Sequence, residues 1–169
     1  MPAERDPIDL AARALHHRDR SRRELDDRLA RAGIADDQRA DALDTLERVG
    51  YVDDGRFAAA RAEALAARGY GDEAIRHDLA GHGIDAEAVI QAIAGLEAEL
   101  ERAQELVERL GRSVKTAQHL SRKGFGEESV ETAVGPGFAE GDFLVVELRS
   151  RTQSLFACTT RFPSITHVS

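Results

Sequence analysis

Histidines, carboxylate doublets, one cysteine and a set of arginines and lysines are the side chains here that could carry chemistry. His16 and His17 are adjacent, so a helix sends them to different sides, and His77 and His82 are five apart. A metal shared on one helical face needs a spacing nearer four, and no HExxH is present. The doublets Asp36-Asp37 and Asp53-Asp54 have the residue types of an acid and a base, but carboxylates at the starts of helices act as caps for free N–H groups. Cys158, the single cysteine, has no second thiol for a disulfide or a metal cluster. The glycine-bearing stretches Gly69 to Gly71 and Gly81 to Gly83 follow no predicted strand and do not match a phosphate loop, so they read as helix ends. Neither an enzyme nor a cofactor or metal site is expected.

The basic residues carry more information. Arg18, Arg20, Arg22, Arg23, Arg28 and Arg31 gather in one stretch, and residues 112–125 hold Arg112, Lys115, Arg122 and Lys123 with no acid among them. Arg68 and Arg76 flank a third stretch between these two. Such cations suit phosphates or an acidic partner. In the first stretch Glu24 and Arg28, and Asp27 and Arg31, have the i,i+4 spacing of pairs that would neutralise the face.

The elements that hold these residues follow from the rest of the sequence. Of 169 residues, 42% are hydrophobic but only 5% aromatic, which favours a helical core of Ala, Leu, Val and Ile. No apolar run approaches the roughly 20 residues that cross a bilayer, and the start MPAERDPIDL lacks the basic and apolar regions of a secretory signal. A cytoplasmic protein without a membrane partner is expected. The net charge of −8 works against a simple nucleic-acid coat, though charge alternates along the chain and leaves local positive segments.

Alternation accompanies an internal repeat. Leu29, Gly33 and Ile34 align with Leu79, Gly83 and Ile84, and with Leu120, Gly124 and Phe125. The apolar spacing predicts three helices per unit, marked in the first unit by Ile8, Ala12 and Leu15, then Leu25, Leu29 and Ala32, then Ala42, Leu46 and Val49. Phe57, Ala60 and Ala64 mark the opening helix of the second unit, and Leu100, Ala103, Val107 and Leu110 that of the third. Ser21 with Glu24 forms a capping box, Asp36, Asp54 and Asp85 are further caps, and six glycines from Gly33 to Gly124 stop helices. The expected fold is all-α: an amino-terminal tail over 1–6, three-helix repeats over 7–52, 53–96 and 97–135, and an irregular tail over 136–169. The repeats should stack into an elongated, curved body with equivalent helices on one side. Within the tail, Phe143 to Leu148 could form one short strand.

The stretch Tyr51-Val52-Asp53-Asp54-Gly55-Arg56-Phe57-Ala58, continuing through Gly69-Tyr70-Gly71, Ile75-Arg76, Leu79 and Gly83-Ile84, resembles the RecX family of bacterial regulators of the recombinase RecA. Ser21-Arg22-Arg23-Glu24-Leu25 with Arg28-Leu29 is similar to that family's first unit, and Arg122-Lys123-Gly124-Phe125 to its third. The resemblance covers about residues 7–135. It implies a non-enzymatic, monomeric modulator that lodges in the groove of the RecA filament on single-stranded DNA and suppresses ATP hydrolysis and strand exchange. On this reading Arg22, Arg23, Arg28, Arg31, Arg68, Arg76, Arg112, Lys115, Arg122 and Lys123 meet the filament or, through it, DNA. The chain departs from the family in carrying Gly81-His82 where many members have a basic pair, and in a shortened linker between the first two helices of its third unit. An independent helix-turn-helix-like DNA-binding module and a helical-repeat adaptor with another partner are the competing readings.

Overall fold

A computed structural model describes residues 6–135; the expected strand over Phe143 to Leu148, the tail over 136–169 and Cys158 lie outside them. The described residues form nine helices and no strand: α1 (Pro7–Leu15), α2 (Arg22–Arg31), α3 (Asp36–Arg48), α4 (Asp54–Ala67), α5 (Asp72–Gly81), α6 (Ala86–Ala94), α7 (Glu99–Leu110), α8 (Val114–Arg122) and α9 (Glu127–Val134). They fall into three successive three-helix units, each with its own apolar core. The first core gathers Leu25, Leu29, Leu43 and Leu46, the second Phe57, Leu65, Ile75 and Leu79, and the third Leu106, Val107, Leu120 and Phe125.

The aligned glycines close α2, α5 and α8 in the same way. Gly33, Gly83 and Gly124 have φ of 82°, 77° and 80°, a left-handed conformation that side chains resist. In each unit the residue after the glycine then donates its N–H back to the aligned leucine: Ile34 to Leu29, Ile84 to Leu79 and Phe125 to Leu120, each at 3.2 Å. That turn delivers an apolar side chain to the core and sets the angle to the third helix.

Several expected details differ. The buried side of α1 is Ala11 and Ala14, and Ile8 is exposed; that of α4 is Phe57, Ala58, Ala62 and Leu65, and Ala60 and Ala64 face outward. The run AAARAEALAA of α4 has alanine on every side, so composition cannot fix its rotation. Val49 and Leu110, at the last turns of their helices, are exposed as well. Asp36 is not a cap: Ala35 takes that position with no side chain to offer, and Asp36 begins α3. Asp53, not Asp54, caps α4, accepting from the N–H of Arg56 at 2.8 Å. Ser21 and Asp85 cap α2 and α6 as expected, but the capping box is only half formed, because the Glu24 carboxylate turns to Arg18 and Arg20.

Asp54 is engaged elsewhere, in a joint between units that occurs twice. Its carboxylate accepts from the N–H of Arg22, the first residue of α2, at 2.8 Å, and Ser21 Oγ donates to the carbonyl of His82 at the end of α5 at 2.8 Å. At the next joint Glu99 accepts from the N–H of Asp72, the first residue of α5, at 2.7 Å, and the N–H of Gly71 donates to the carbonyl of Lys123 at the end of α8 at 2.9 Å. The start of each second helix thus meets the end of the next unit's second helix, so α8, α5 and α2 follow one another with their dipoles in the same sense. Glu99 also receives the N–H of Gly126 and the hydroxyl of Ser129, and buried Arg102 donates to the carbonyls of Glu97 and Tyr70 and pairs with Asp72.

Gly71 is buried at the second joint, where a Cβ would fall inside contact distance of the Gly124 and Phe125 backbones, whereas Gly81 has open space around it. Gly71→Ala should therefore cost about 1–3 kcal/mol, and Gly81→Ala should leave the melting temperature unchanged or raise it. Phe57 is 5% exposed. Phe57→Ala should lose about 3–5 kcal/mol in urea unfolding; an unchanged midpoint would mean that the ring contributes nothing to the core.

Candidate interaction surface

With α2, α5 and α8 in line, the basic stretches sit on one row of helices, and the two ends of the row differ from its middle. At the α8 end, Arg112, Lys115 and Arg122 are exposed and, among the described residues, meet no carboxylate within 4 Å. The Arg122 guanidinium reaches only the carbonyl of Gln118, at 3.2 Å. In α5, Arg76 pairs with Glu73 at 2.8 Å, and Asp72 and Asp78 share the helix, so the middle of the row holds more acid than base.

At the α2 end the structure divides the arginines. Arg22 turns to α3 and pairs with Asp44 at 2.6 Å and with Glu47, and these carboxylates raise its pKa above the usual arginine value. Its backbone N–H is held by Asp54, so Arg22 is an internal brace. Arg18, Arg23, Arg28 and Arg31 remain outward, and Arg20 is half-buried on the carbonyl of Ala14. The expected pairs of Glu24 with Arg28 and of Asp27 with Arg31 do not form: Arg31 donates to the backbone carbonyl of Asp27 at 3.0 Å, and Glu24 turns to Arg18 at 3.1 Å and Arg20 at 3.8 Å. Arg23 and Arg28 meet no carboxylate among the described residues, and the Arg23 stem lies over Gly83 of the neighbouring unit, where a Cβ would come within 2.6 Å of it. Burial, with Arg18 beside it, lowers the pKa of Arg20 against the opposing pull of Glu24.

Arg68 and Lys123, both read as contact residues, converge on one ring. The Lys123 ammonium is 3.9 Å from the centre of Tyr70 and the Arg68 guanidinium 5.5 Å, so Lys123 stitches the third unit to the second by a cation–π contact. Arg102 escaped sequence reasoning because it lies among the acids of α7. Its signal was positional: forty-five residues separate it from Phe57, as they separate Glu99 from Asp54, so a charge stands where the preceding unit has its core ring.

His82 joins the first two units. Its imidazole lies 3.6 Å from Glu24 and 3.5 Å from Asp78, with its ring 5.4 Å from Phe57. Among the described residues, no group of three or more His, Cys, Asp or Glu is placed to hold a metal ion. No helix among them is long and apolar enough to cross a membrane.

The fold defines a tandem three-helix-repeat protein, with exposed basic residues at both ends of the row of second helices. Residues 53–93 match the family model for the RecX second three-helix domain. The chain is 37% identical over 140 residues to the regulatory protein RecX of Xanthomonas axonopodis pv. citri (strain 306), covering 77% of this chain and 86% of that one. It is 34% identical over 142 residues to the regulatory protein RecX of Stenotrophomonas maltophilia (strain R551-3), covering 78% and 87%. The fold matches the crystal structure of RecX from Lactobacillus salivarius with a TM-score of 0.67 at 21% identity, over 76% of this chain and 92% of that chain. The chain belongs to the RecX family.

Beside His82, Asp78 accepts two hydrogen bonds from Arg61 at 2.8 Å, and these hold its carboxyl below the usual aspartate range despite partial burial. The stability so gained is complete above the unfolded aspartate value of about 4 and is lost as pH falls through the lowered folded value. Urea midpoints measured at pH 6 and pH 3 should therefore fall further for the native protein than for Asp78→Asn.

Proposed function

We propose that this protein regulates the RecA recombinase by binding the RecA filament on single-stranded DNA and inhibiting its ATP hydrolysis and strand exchange, without catalysis of its own. Family membership supports the regulatory role, and the observation that carries the mode of action is the succession of α8, α5 and α2 with cations at both ends that meet no carboxylate among the described residues. A row of repeats can touch successive protomers of a filament, and two weak contacts joined by a fixed spacer bind far more tightly than either alone.

The direct test is ATP hydrolysis by RecA of the same organism on single-stranded DNA, with this protein added below and up to the recombinase concentration. Suppression is expected at substoichiometric amounts; an unchanged rate with folded, helical protein would overturn the reading. Charge reversal at Arg112, Lys115, Arg122 and Lys123 should weaken inhibition, but the Lys123 contact with Tyr70 is part of a joint. The triple reversal Arg112→Glu, Lys115→Glu and Arg122→Glu is therefore the cleaner variant. It should raise the concentration for half-inhibition at least tenfold while leaving the helical signal intact. Unchanged inhibition would remove the α8 end from the contact.

A further inference from the structure

The two joints set the same succession of helices but constrain it unequally. At the second joint two units bond backbone to backbone: the N–H groups of Gly71 and Glu73 donate to the carbonyls of Lys123 and Gly124 at 2.9 and 3.1 Å. Glu99, which accepts from Asp72, is itself held by Gly126 and Ser129, so that acceptor is fixed. Arg102 crosses to the carbonyl of Tyr70 and to Asp72, Lys123 lies on the Tyr70 ring, and a Cβ on Gly69 would stand 3.6 Å from the Leu106 methyls. These contacts start from α7, from the end of α8 and from the turn after it, so rotation about any line through the joint breaks some of them. At the first joint, no backbone group of one unit bonds a backbone group of the other among the described residues. Two bonds from adjacent residues carry it, Ser21 Oγ to the carbonyl of His82 and the N–H of Arg22 to Asp54. The remaining contacts are long or loose. The His82 imidazole is 3.6 Å from Glu24, Arg56 is 3.8 Å from Asp19 and reaches the carbonyls of Gly50 and Tyr51 at 3.4 and 3.3 Å, and the Arg23 stem lies over Gly83. Ion pairs at such distance and exposure add little.

We propose that the first joint is a hinge and the second a rigid coupling, so that the second and third units move as one body and the first unit swings on it about Ser21 and Arg22. Two neighbouring bonds define a line, and rotation about that line strains only the long pairs around it. The covalent crossing lies beside the same line. Val52 is buried in the first core and Asp54 opens α4, so Asp53 alone links the two bodies, next to the carboxylate that holds Arg22. Hinges are a few element-terminal residues of this kind, which absorb a turn while the cores on either side stay packed. The swing changes the distance between the arginines of α2 and the cations of α8 without disturbing an apolar core. Its use rests on the functional reading above: the spacer between the two basic ends is stiff from α5 to α8 and jointed at α2, so the second contact can adjust to where its site lies on the partner.

The test is double electron–electron resonance on the full-length protein carrying Cys158→Ser, spin-labelled in pairs at exposed positions. Asp37→Cys with Ile90→Cys spans the first joint, and Ile90→Cys with Glu128→Cys spans the second. The distance distribution across the first joint should be about twice as broad as that across the second, or broader. Asp54→Ala should broaden the first distribution further and leave the second as it was. Equal widths before that substitution overturn the proposal, and so does a first distribution that Asp54→Ala does not change. Amide hydrogen exchange separates swinging from unfolding. The N–H groups of Arg22 and Asp72 hold the same place, first in a helix and bonded to a carboxylate of the next unit. Arg22 should be about tenfold less protected than Asp72, while Leu29 in the first core stays protected like Leu79 in the second. Equal protection of Arg22 and Asp72 counts against the hinge. Exchange of Leu29 as fast as that of Arg22 also overturns it, since the first unit would then open by unfolding. RecA enters neither measurement, so failure here leaves the filament-inhibition test standing, and failure there leaves this one.

Discussion

The free backbone groups at the ends of the second helices are what the arrangement of the units depends on. Every helix begins with N–H groups and ends with carbonyls that its own hydrogen bonds cannot reach. Here the N–H of Arg22 at the beginning of α2 is met by Asp54 of the second unit, whose His82 carbonyl at the end of α5 accepts from the Ser21 hydroxyl, and the N–H groups at the beginning of α5 are met by Glu99, Lys123 and Gly124 of the third. Ser21 is fully buried in doing so, and burial without those partners would cost about 1–3 kcal/mol for each group left alone. The three apolar cores do not merge across the joints. Polar geometry, which is directional, therefore fixes how one unit follows another, where apolar packing would leave the angle softer.

This division explains what could be read from the sequence. The glycine register and the leucine before it were legible because each closes a helix by a local rule, and the rule recurs three times. The joints were not legible, since Asp54 looks like a cap beside Asp53 and only the fold shows that it reaches Arg22 thirty-two residues away. The rotation of α4 failed for another reason. Alanine is indifferent to burial, and the face is chosen by Phe57 and Leu65, with Arg61 drawn sideways to Asp78. Arg102 belongs to the same class of miss: its buried guanidinium is tolerable only because two carbonyls and Asp72 from across the joint are already in position.

For the candidate interaction face, the sequence supplied the cations and the structure sorted them. Of the ten basic residues read as contacts, Arg22 and Arg76 are spent on neighbouring carboxylates, and Arg68 and Lys123 on Tyr70. Those left outward divide between the α2 and α8 ends. Identity of residue type could not separate these roles, because an arginine that braces α3 and one that faces solvent differ only in what lies opposite them in space.

The same separation bears on how a chain of net charge −8 can present a positive surface. Its acids are concentrated in the third helices and in α7, where Asp36, Asp37, Asp41 and Asp44 share α3 and Glu101, Glu105 and Glu108 are exposed along α7. Salt screens charges separated by more than about 8 Å, so a ligand against the second helices meets the local arginines more than the distant carboxylates. Global repulsion then acts chiefly on the approach and short-range pairing on the bound state. The positive surface is therefore a matter of where the unpaired arginines and lysines stand, and the formal charge of the whole chain does not describe it.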